Sequence, residues 1–390
     1  MIANLQFNSP SDQSIDLLII AGEASGDQHG SLLMEDLISS YPHLNCAAIG
    51  GPCLEKKGAF LVYPLVEHAV VGVIEVLKNY QTFKQIFSNT IEWIRKHKPK
   101  SVLLIDYPGF NLRLAKELKK IGISDKGGGQ VKIIQYISPQ LWAWKPKRRF
   151  IMEQVLDGLG VIFPFEVDCY SDTKLPVSFV GHPFTKSNFI SPVHYDSSGP
   201  LLLLPGSRSQ PVERILPVLL DAYEQLLIIY PDLKAQIPVP DLRIRKLVSS
   251  LLSKRHKIKE NIQVVEGETI LGARAALMSS GTMSLSCALA GIPGVIAYRV
   301  HPLTYFLGRI LVKVPYLGMA NILLPDNPPY SEFLQHNANG VSLSDSMSQI
   351  LSDDQARNKA DGNAKKLIAC LTSSNQKSAV DWLVQVASLA

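Results

Sequence analysis

Cysteine is scarce and scattered in this chain: Cys46, Cys53, Cys169, Cys287 and Cys370 are odd in number and never form a Cys-x-x-Cys pair. That spacing argues against a disulfide framework and against a zinc site. Long apolar runs are also missing. The richest, residues 69–77, is short and interrupted by Glu75, far below the ~20 residues a membrane span needs. The amino terminus, MIANLQFNSPSDQS, has no basic stretch followed by an apolar one, so no secretory signal is read and a reducing cytoplasm is expected. Dense Lys/Arg blocks are absent as well. A formal charge of +5 with a pI near 8.8 favours an anionic small molecule or lipid surface over nucleic acid. There is neither an Asp-x-Asp pair nor a His-x₃-His pair to hold a metal, so a mechanism without metal or cofactor is expected. Glycine and proline, 26 and 25 residues, sit near average usage, and no repeat of fixed period is visible, which excludes collagen-like, low-complexity and solenoid classes.

What is present is a globular chain of 390 residues, 46% hydrophobic and 19% charged, long enough for two domains. Apolar runs at 16–20, 101–105 and 131–137 read as strands, and the amphipathic stretches 79–98 and 111–120 read as helices. This alternation implies βα units around a parallel sheet. The rhythm breaks at 186–200, which is polar and carries two prolines, and restarts with strands at 201–204, 233–239, 262–265, 275–278 and 294–298. The expected organisation is therefore a flexible N-terminus (1–14), a first α/β domain (15–185), a linker (186–200), a second α/β domain (201–350) and C-terminal helices (351–390). Val380, Leu383, Val386 and Leu389 recur at near-helical spacing, so these last helices are expected to pack on the body. Two such doubly wound domains are expected to face a central cleft with their strand ends, and function is sought there.

Five strand-end loops carry chemistry. Gly22, Glu23, Ala24, Ser25, Gly26 and Asp27 form a glycine turn into a helix; it admits a ligand to backbone N–H groups, or is simply a compact turn capped by Ser25 or Asp27. Asp106 ends the second of the three strands, placed as a general base or as a helix cap. Trp142, Trp144, Lys145, Lys147, Arg148 and Arg149 form a substrate-side loop suited to a lipid headgroup or a sugar face, or a solvated helix start. In the second half, Gly206, Ser207 and Arg208 on one loop and Ser280, Gly281 and Thr282 on another are suited to a nucleoside diphosphate, or to ordinary N-capping. His29 and His182 stand in motif-like loops.

Taken together, AGEASGD, VVGVIEVL, IDYPGFNLRLAK, YISPQLWAWKPKR, FPFE, FVGHP, LLPGSR, SSGT and SEFLQ follow in order over residues 15–335. The chain resembles the lipid-A-disaccharide synthases of Gram-negative bacteria. The resemblance implies a GT-B fold and an inverting transfer of 2,3-diacylglucosamine from its UDP derivative to 2,3-diacylglucosamine 1-phosphate. It makes 15–185 the acceptor domain, with Asp106 as base, Glu23 beside it, and Gly22, Ser25, Gly26, Asp27, Trp142, Trp144 and His182 on the acceptor side. It makes 201–350 the UDP-sugar domain, with Asn321, Glu332 and Gln335 joining the two loops already named. Peripheral binding to an anionic membrane follows from the acyl substrates, with Val70, Val71, Val73, Ile74 and Leu77 beside the loop cations as the expected patch; a homodimer is left open. Two family glutamates are replaced, by Pro211 and Ser286, and Met319 and Ala320 replace a Leu-Pro before Asn321. With the second glutamate the family grips ribose, so Ser286→Glu is expected to tighten UDP by up to about tenfold. These departures keep two rivals in view, a relative that binds without turnover and one with another acceptor.

Overall fold

The first strand, β1 (Leu17–Ala21), reads LLIIA, and all of its residues are buried. An unbroken apolar run of this kind belongs to a parallel strand covered on both faces. Six more strands join it: β2 (Cys46–Ile49), β3 (Phe60–Tyr63), β4 (Ser101–Ile105), β5 (Lys132–Tyr136), β6 (Gly158–Val161) and β7 (Val177–Phe179). They pair in parallel in the order β3-β2-β1-β4-β5-β6-β7. This is the doubly wound order, with helices such as Ala24–Ser40, Tyr80–His97 and Pro108–Lys120 carrying the crossovers.

The computed structural model describes residues 5–10, 14–69, 80–266, 269–301, 305, 314–372 and 378–389. It divides into two units, Met1–Ser187 with Leu371–Ala390, and Asn188–Cys370. The second unit holds β8 (Val193–Tyr195), β9 (Leu201–Leu204), β10 (Ala235–Val239), β11 (Ile262–Glu266), β12 (Leu271–Ala273), β13 (Ala275–Ser279), β14 (Gly294–Tyr298) and β15 (Ser331–Leu334). Six of these form a parallel sheet in the order β11-β10-β9-β13-β14-β15, and β8 pairs with β12. Both units are thus Rossmann-like, each with its own apolar core.

The structure draws three boundaries differently from the sequence. Residues 5–10 are tied down: Asn8 donates its backbone N–H to Val62 O at 3.0 Å, Trp93 donates its indole N–H to Asn8 O at 2.9 Å, and Phe7 stacks on Tyr63 at 4.7 Å. The stretch expected as linker contains β8, whose ladder with β12 places it in the second unit. The C-terminal helices separate, because Ala379–Ala387 returns to the first unit.

That return depends on two glycines. A Cβ on Gly160 would lie 2.7 Å from the Trp382 ring and one on Gly158 2.6 Å from Val386, so β6 offers bare backbone on which the C-terminal helix rests. Its last turn is fastened by Ser101 Oγ on Ala387 O (2.9 Å) and Lys132 Nζ on Val386 O (3.1 Å). A cation at the carbonyl end of a helix is favourable. Val380, Leu383 and Leu389 are buried as the spacing predicts, and Trp382 with them; Val386 is half-buried.

Candidate active site

In a doubly wound sheet, ligands sit beyond the carboxyl ends of the strands, where the strand order reverses. In the first unit that point lies between β1 and β4. Their register pairs Ala21 with Ile105, which sets Gly22 and Glu23 beside Asp106 and Tyr107. The glycine has a specific reason: a Cβ there would fall 2.1 Å from Cδ1 of Tyr107. The tyrosine ring therefore occupies the space over Gly22 that the sequence assigned to a ligand. Glu23, with extended backbone, is the N-cap residue of Ala24–Ser40, so neither Ser25 nor Asp27 stands at the cap position. Burial raises the pKa of the Tyr107 phenol, and the Glu23 charge raises it further. Ser25 is half-buried, and Gly26 packs the helix on Ile105.

Asp27 needs a correction. It is 1% exposed, and its carboxylate accepts the N–H groups of Gly51 (2.9 Å), Cys53 (2.9 Å) and Leu54 (3.3 Å). It therefore caps the short helix Pro52–Lys56 and faces no acceptor.

Asp106 and Tyr107 both adopt left-handed backbone, at φ +43° and +46°. Each such non-glycine residue costs roughly 1–3 kcal/mol, and the surroundings hold both. Asp106 N–H donates to Tyr136 O at 3.1 Å. Asn111, fully buried, donates to the carbonyls of Ile105 (3.2 Å) and Asp106 (2.8 Å), and Gln135 donates to Asp106 O at 3.3 Å. The N-cap residue of the following helix is Tyr107, one residue after Asp106. Asn111 and Gln135 are positioning residues that the sequence reading did not single out. Their signal was there, a polar residue on the apolar face of a helix and another inside an apolar strand.

The tryptophan loop leaves β5 through Ile137, at φ +71°. Trp144 is 42% exposed, with Lys145 Nζ at 4.2 Å and the Arg148 guanidinium at 5.2 Å from its ring centre. Arg149 is not a free loop cation, since it forms a two-pronged pair with Asp172 at 2.6 and 2.5 Å. Trp142 is half-buried and meets Phe165 edge-on at 5.6 Å. His182 also needs a correction: it is 4% exposed among His29, Phe163 and Phe184, and its Nδ1 accepts the N–H of Phe184 at 3.1 Å. Burial lowers its pKa to about 3 and that of His29 to about 4, so both rings are neutral wall residues.

In the second unit the strand order reverses between β9 and β13, whose register pairs Leu204 with Met278. Gly206 has φ +110°, in the region glycine favours, and Pro211 packs 3.2 Å from where its Cβ would lie. Pro211 therefore supports the turn, while Glu213 is exposed. Ser207 and Arg208 are exposed, and Arg208 is the N-cap residue of the 21-residue helix Ser209–Ile229. On the neighbouring strand end, Gly281 and Thr282 are exposed and open the helix Thr282–Leu289. Two helix N-termini thus share one sheet edge, each with first-turn N–H groups that no helical carbonyl can reach.

Four expected nucleotide contacts are engaged within the fold. Ser280 Oγ donates to Leu317 O at 2.7 Å. Asn321, fully buried, brackets Tyr330 through both atoms of its amide, at 2.8 and 3.0 Å, and donates to Glu332 at 2.8 Å. Glu332 accepts the N–H groups of Leu317 (2.8 Å) and Gly318 (2.9 Å). Gln335 pairs with the backbone of Val300 at 2.9 and 3.1 Å. These side chains hold the loops, while Ser207, Arg208, Gly281 and Thr282 are exposed and Gly206 is half-buried. Ser286 is 2% exposed, with its hydroxyl toward Thr282 O at 3.4 Å, so it does not face a ribose. Ser286→Glu is accordingly expected to destabilise the second unit by about 1–3 kcal/mol through overpacking and a buried charge. Thermal unfolding checks this, and an unchanged melting temperature with tighter UDP would restore the first expectation. Among the described residues, no group of three His, Cys, Asp or Glu is placed to hold a metal ion.

Two Rossmann-like units with loops of this kind make up the GT-B fold, a class of proteins that act on nucleotide sugars. Solved structures agree on the fold: the glycotransferase of kitacinnamycin (TM-score 0.60, 10% identity, 96% of this chain and all of the other) and UDP-GlcNAc 2-epimerase of Methanocaldococcus jannaschii in complex with UDP-GlcNAc and UDP (0.56, 12%, 96% and 99%). The family model of lipid-A-disaccharide synthetase matches residues 17–385. Among curated proteins, lipid-A-disaccharide synthase 1 of Legionella pneumophila strain Philadelphia 1 is 36% identical over 92% of this chain and 94% of its own length, and the Coxiella burnetii synthase (strain Dugway 5J108-111) is 32% identical over 87% and 90%. The chain belongs to the lipid-A-disaccharide synthetase family. It is an enzyme, a UDP-sugar-dependent glycosyltransferase of lipid A disaccharide synthesis, and the rival without turnover is not favoured.

Proposed function

We propose that the chain joins 2,3-diacylglucosamine, carried as its UDP derivative, to 2,3-diacylglucosamine 1-phosphate with inversion. Asp106 takes the proton of the acceptor hydroxyl as its oxygen attacks the anomeric carbon; the bond to the diphosphate breaks and UDP leaves. Arg208 and the N-termini of Ser209–Ile229 and Thr282–Leu289 take up the charge on the departing diphosphate. The observation that supports this reading best is the strained left-handed Asp106–Tyr107 pair at the strand-order reversal, fixed by Asn111 and Gln135. Incubating the protein with both lipids and weighing the product tests it: a tetraacyl disaccharide phosphate with equimolar UDP supports it, and UDP release without that lipid favours another acceptor.

The acyl chains of both substrates call for a membrane surface, and no described helix is long and apolar enough to cross one. Peripheral binding through exposed Trp144, Phe150 and the neighbouring cations Lys145, Lys147 and Arg148 accounts for this. The apolar patch expected at Val70, Val71, Val73, Ile74 and Leu77 lies outside the described residues. Each cation contributes at most about 1 kcal/mol near anionic lipid, so flotation with anionic vesicles is expected at low salt and lost at high salt. Absence of flotation at low salt would remove the membrane reading.

A further inference from the structure

The turn after β6 carries a carboxyl that the reaction above does not use. Glu166 ends the turn Pro164–Glu166, is 2% exposed, and accepts the N–H of Phe163 at 3.2 Å. Since β6 pairs with β5 and β5 with β4, this turn and Asp106 follow strands two positions apart on one sheet edge. The loop between them supplies Trp142, whose ring rests on Phe165 and whose buried indole Nε1 has no acceptor in hydrogen-bond geometry. The Glu166 carboxyl is the acidic group beside that indole.

We propose that Glu166 is a positioning residue of the acceptor site, which in its uncharged form seats Trp142 and adds no second negative charge beside Asp106. This rests on the reading of Asp106 as base. Burial disfavours the carboxylate most; the N–H groups of Phe163 and Ile162 and the nearby Trp142 indole favour it, and the Asp106 charge disfavours it, so that on balance the Glu166 pKa is pushed up to about 8. The other titratable groups facing it are Cys169 and Tyr170, both raised by burial and by Glu166 itself, with the Tyr170 hydroxyl held by Ser138 at 2.7 Å. Glu166 is therefore the member of this cluster that changes charge near pH 8. Below that pH it is a neutral acid. Above it, the new carboxylate draws in the indole N–H, displaces the tryptophan loop and opposes both Asp106 and an anionic acceptor.

Glu166→Gln keeps the shape and fixes the uncharged state. In the wild type, kcat/KM is expected to fall above pH 8, roughly tenfold per pH unit, and in Glu166→Gln that alkaline limb is expected to vanish, whatever the height of the plateau. A substrate-free readout stands beside it. The tryptophan fluorescence of the wild type should titrate near pH 8, and the step should be lost in both Glu166→Gln and Trp142→Phe. Either an alkaline limb or a fluorescence step that persists in Glu166→Gln overturns the assignment, as does a wild type with no step, which needs no variant to fold. Should Asp106→Asn prove fully active, the base reading falls, while the fluorescence step still decides Glu166.

Discussion

Asp106→Asn is expected to lower turnover by about 10²–10⁴ and to leave UDP affinity unchanged. The factor is what a general base typically supplies. The backbone should survive the change, because asparagine tolerates left-handed φ better than other non-glycine residues and the turn is held through main-chain atoms by Asn111, Gln135 and Tyr136. UDP binding should persist because Asp106 lies in the first unit, whereas Gly206 to Arg208 and Gly281 to Thr282 lie in the second. Steady-state kinetics with both lipids, and calorimetry with UDP, measure the two quantities. Near-normal turnover in the Asn variant would falsify the base role; lost turnover with lost UDP affinity would mean that the variant is misfolded.

Trp382→Ala is expected to cost about 3–5 kcal/mol, the range for truncating a buried tryptophan. At 2–4 °C per kcal/mol for a unit of this size, that is a fall of about 6–20 °C in the unfolding midpoint of the first unit. The cost is high because the site cannot collapse: the ring lies on the backbone of Gly160, with Tyr136 at 6.5 Å on the next strand. The Tyr136 carbonyl is also the acceptor for Asp106 N–H, so activity is expected to fail at a lower temperature than in the wild type. Calorimetric unfolding beside an activity–temperature curve checks both. A midpoint within 2 °C of the wild type, a limit of about 1 kcal/mol, would show that the C-terminal helix contributes little to the unit it covers.

The parts of the fold that could be read directly were strands buried on both faces. β4, β9 and β14 were read with the boundaries the structure has, because unbroken apolar runs such as SVLLI and LLLL need no partner to be recognised. β6 was not read, since GLGV carries two glycines that argue against a strand and make sense only beneath Trp382. β8 and β12 are three residues each and exist by virtue of pairing with each other. Neither has a periodicity of its own to be detected.

The site divides along the same line. Order along the chain determined which loops follow which strands, and so placed Asp106, the tryptophan loop, Gly206 to Arg208 and Gly281 to Thr282 at strand ends. Tertiary structure alone decided which polar groups there face outward. Asp27 meets Gly51 and Cys53, and Glu332 meets Leu317 and Gly318, through contacts that no local pattern encodes. Glu166 looks like any acid in a turn until burial among apolar side chains raises its pKa. The physical reason is common to all three: a carboxylate's role follows from the donors, charges and solvent around it, and in a doubly wound sheet those arrive from strands that are neighbours in space and distant in sequence.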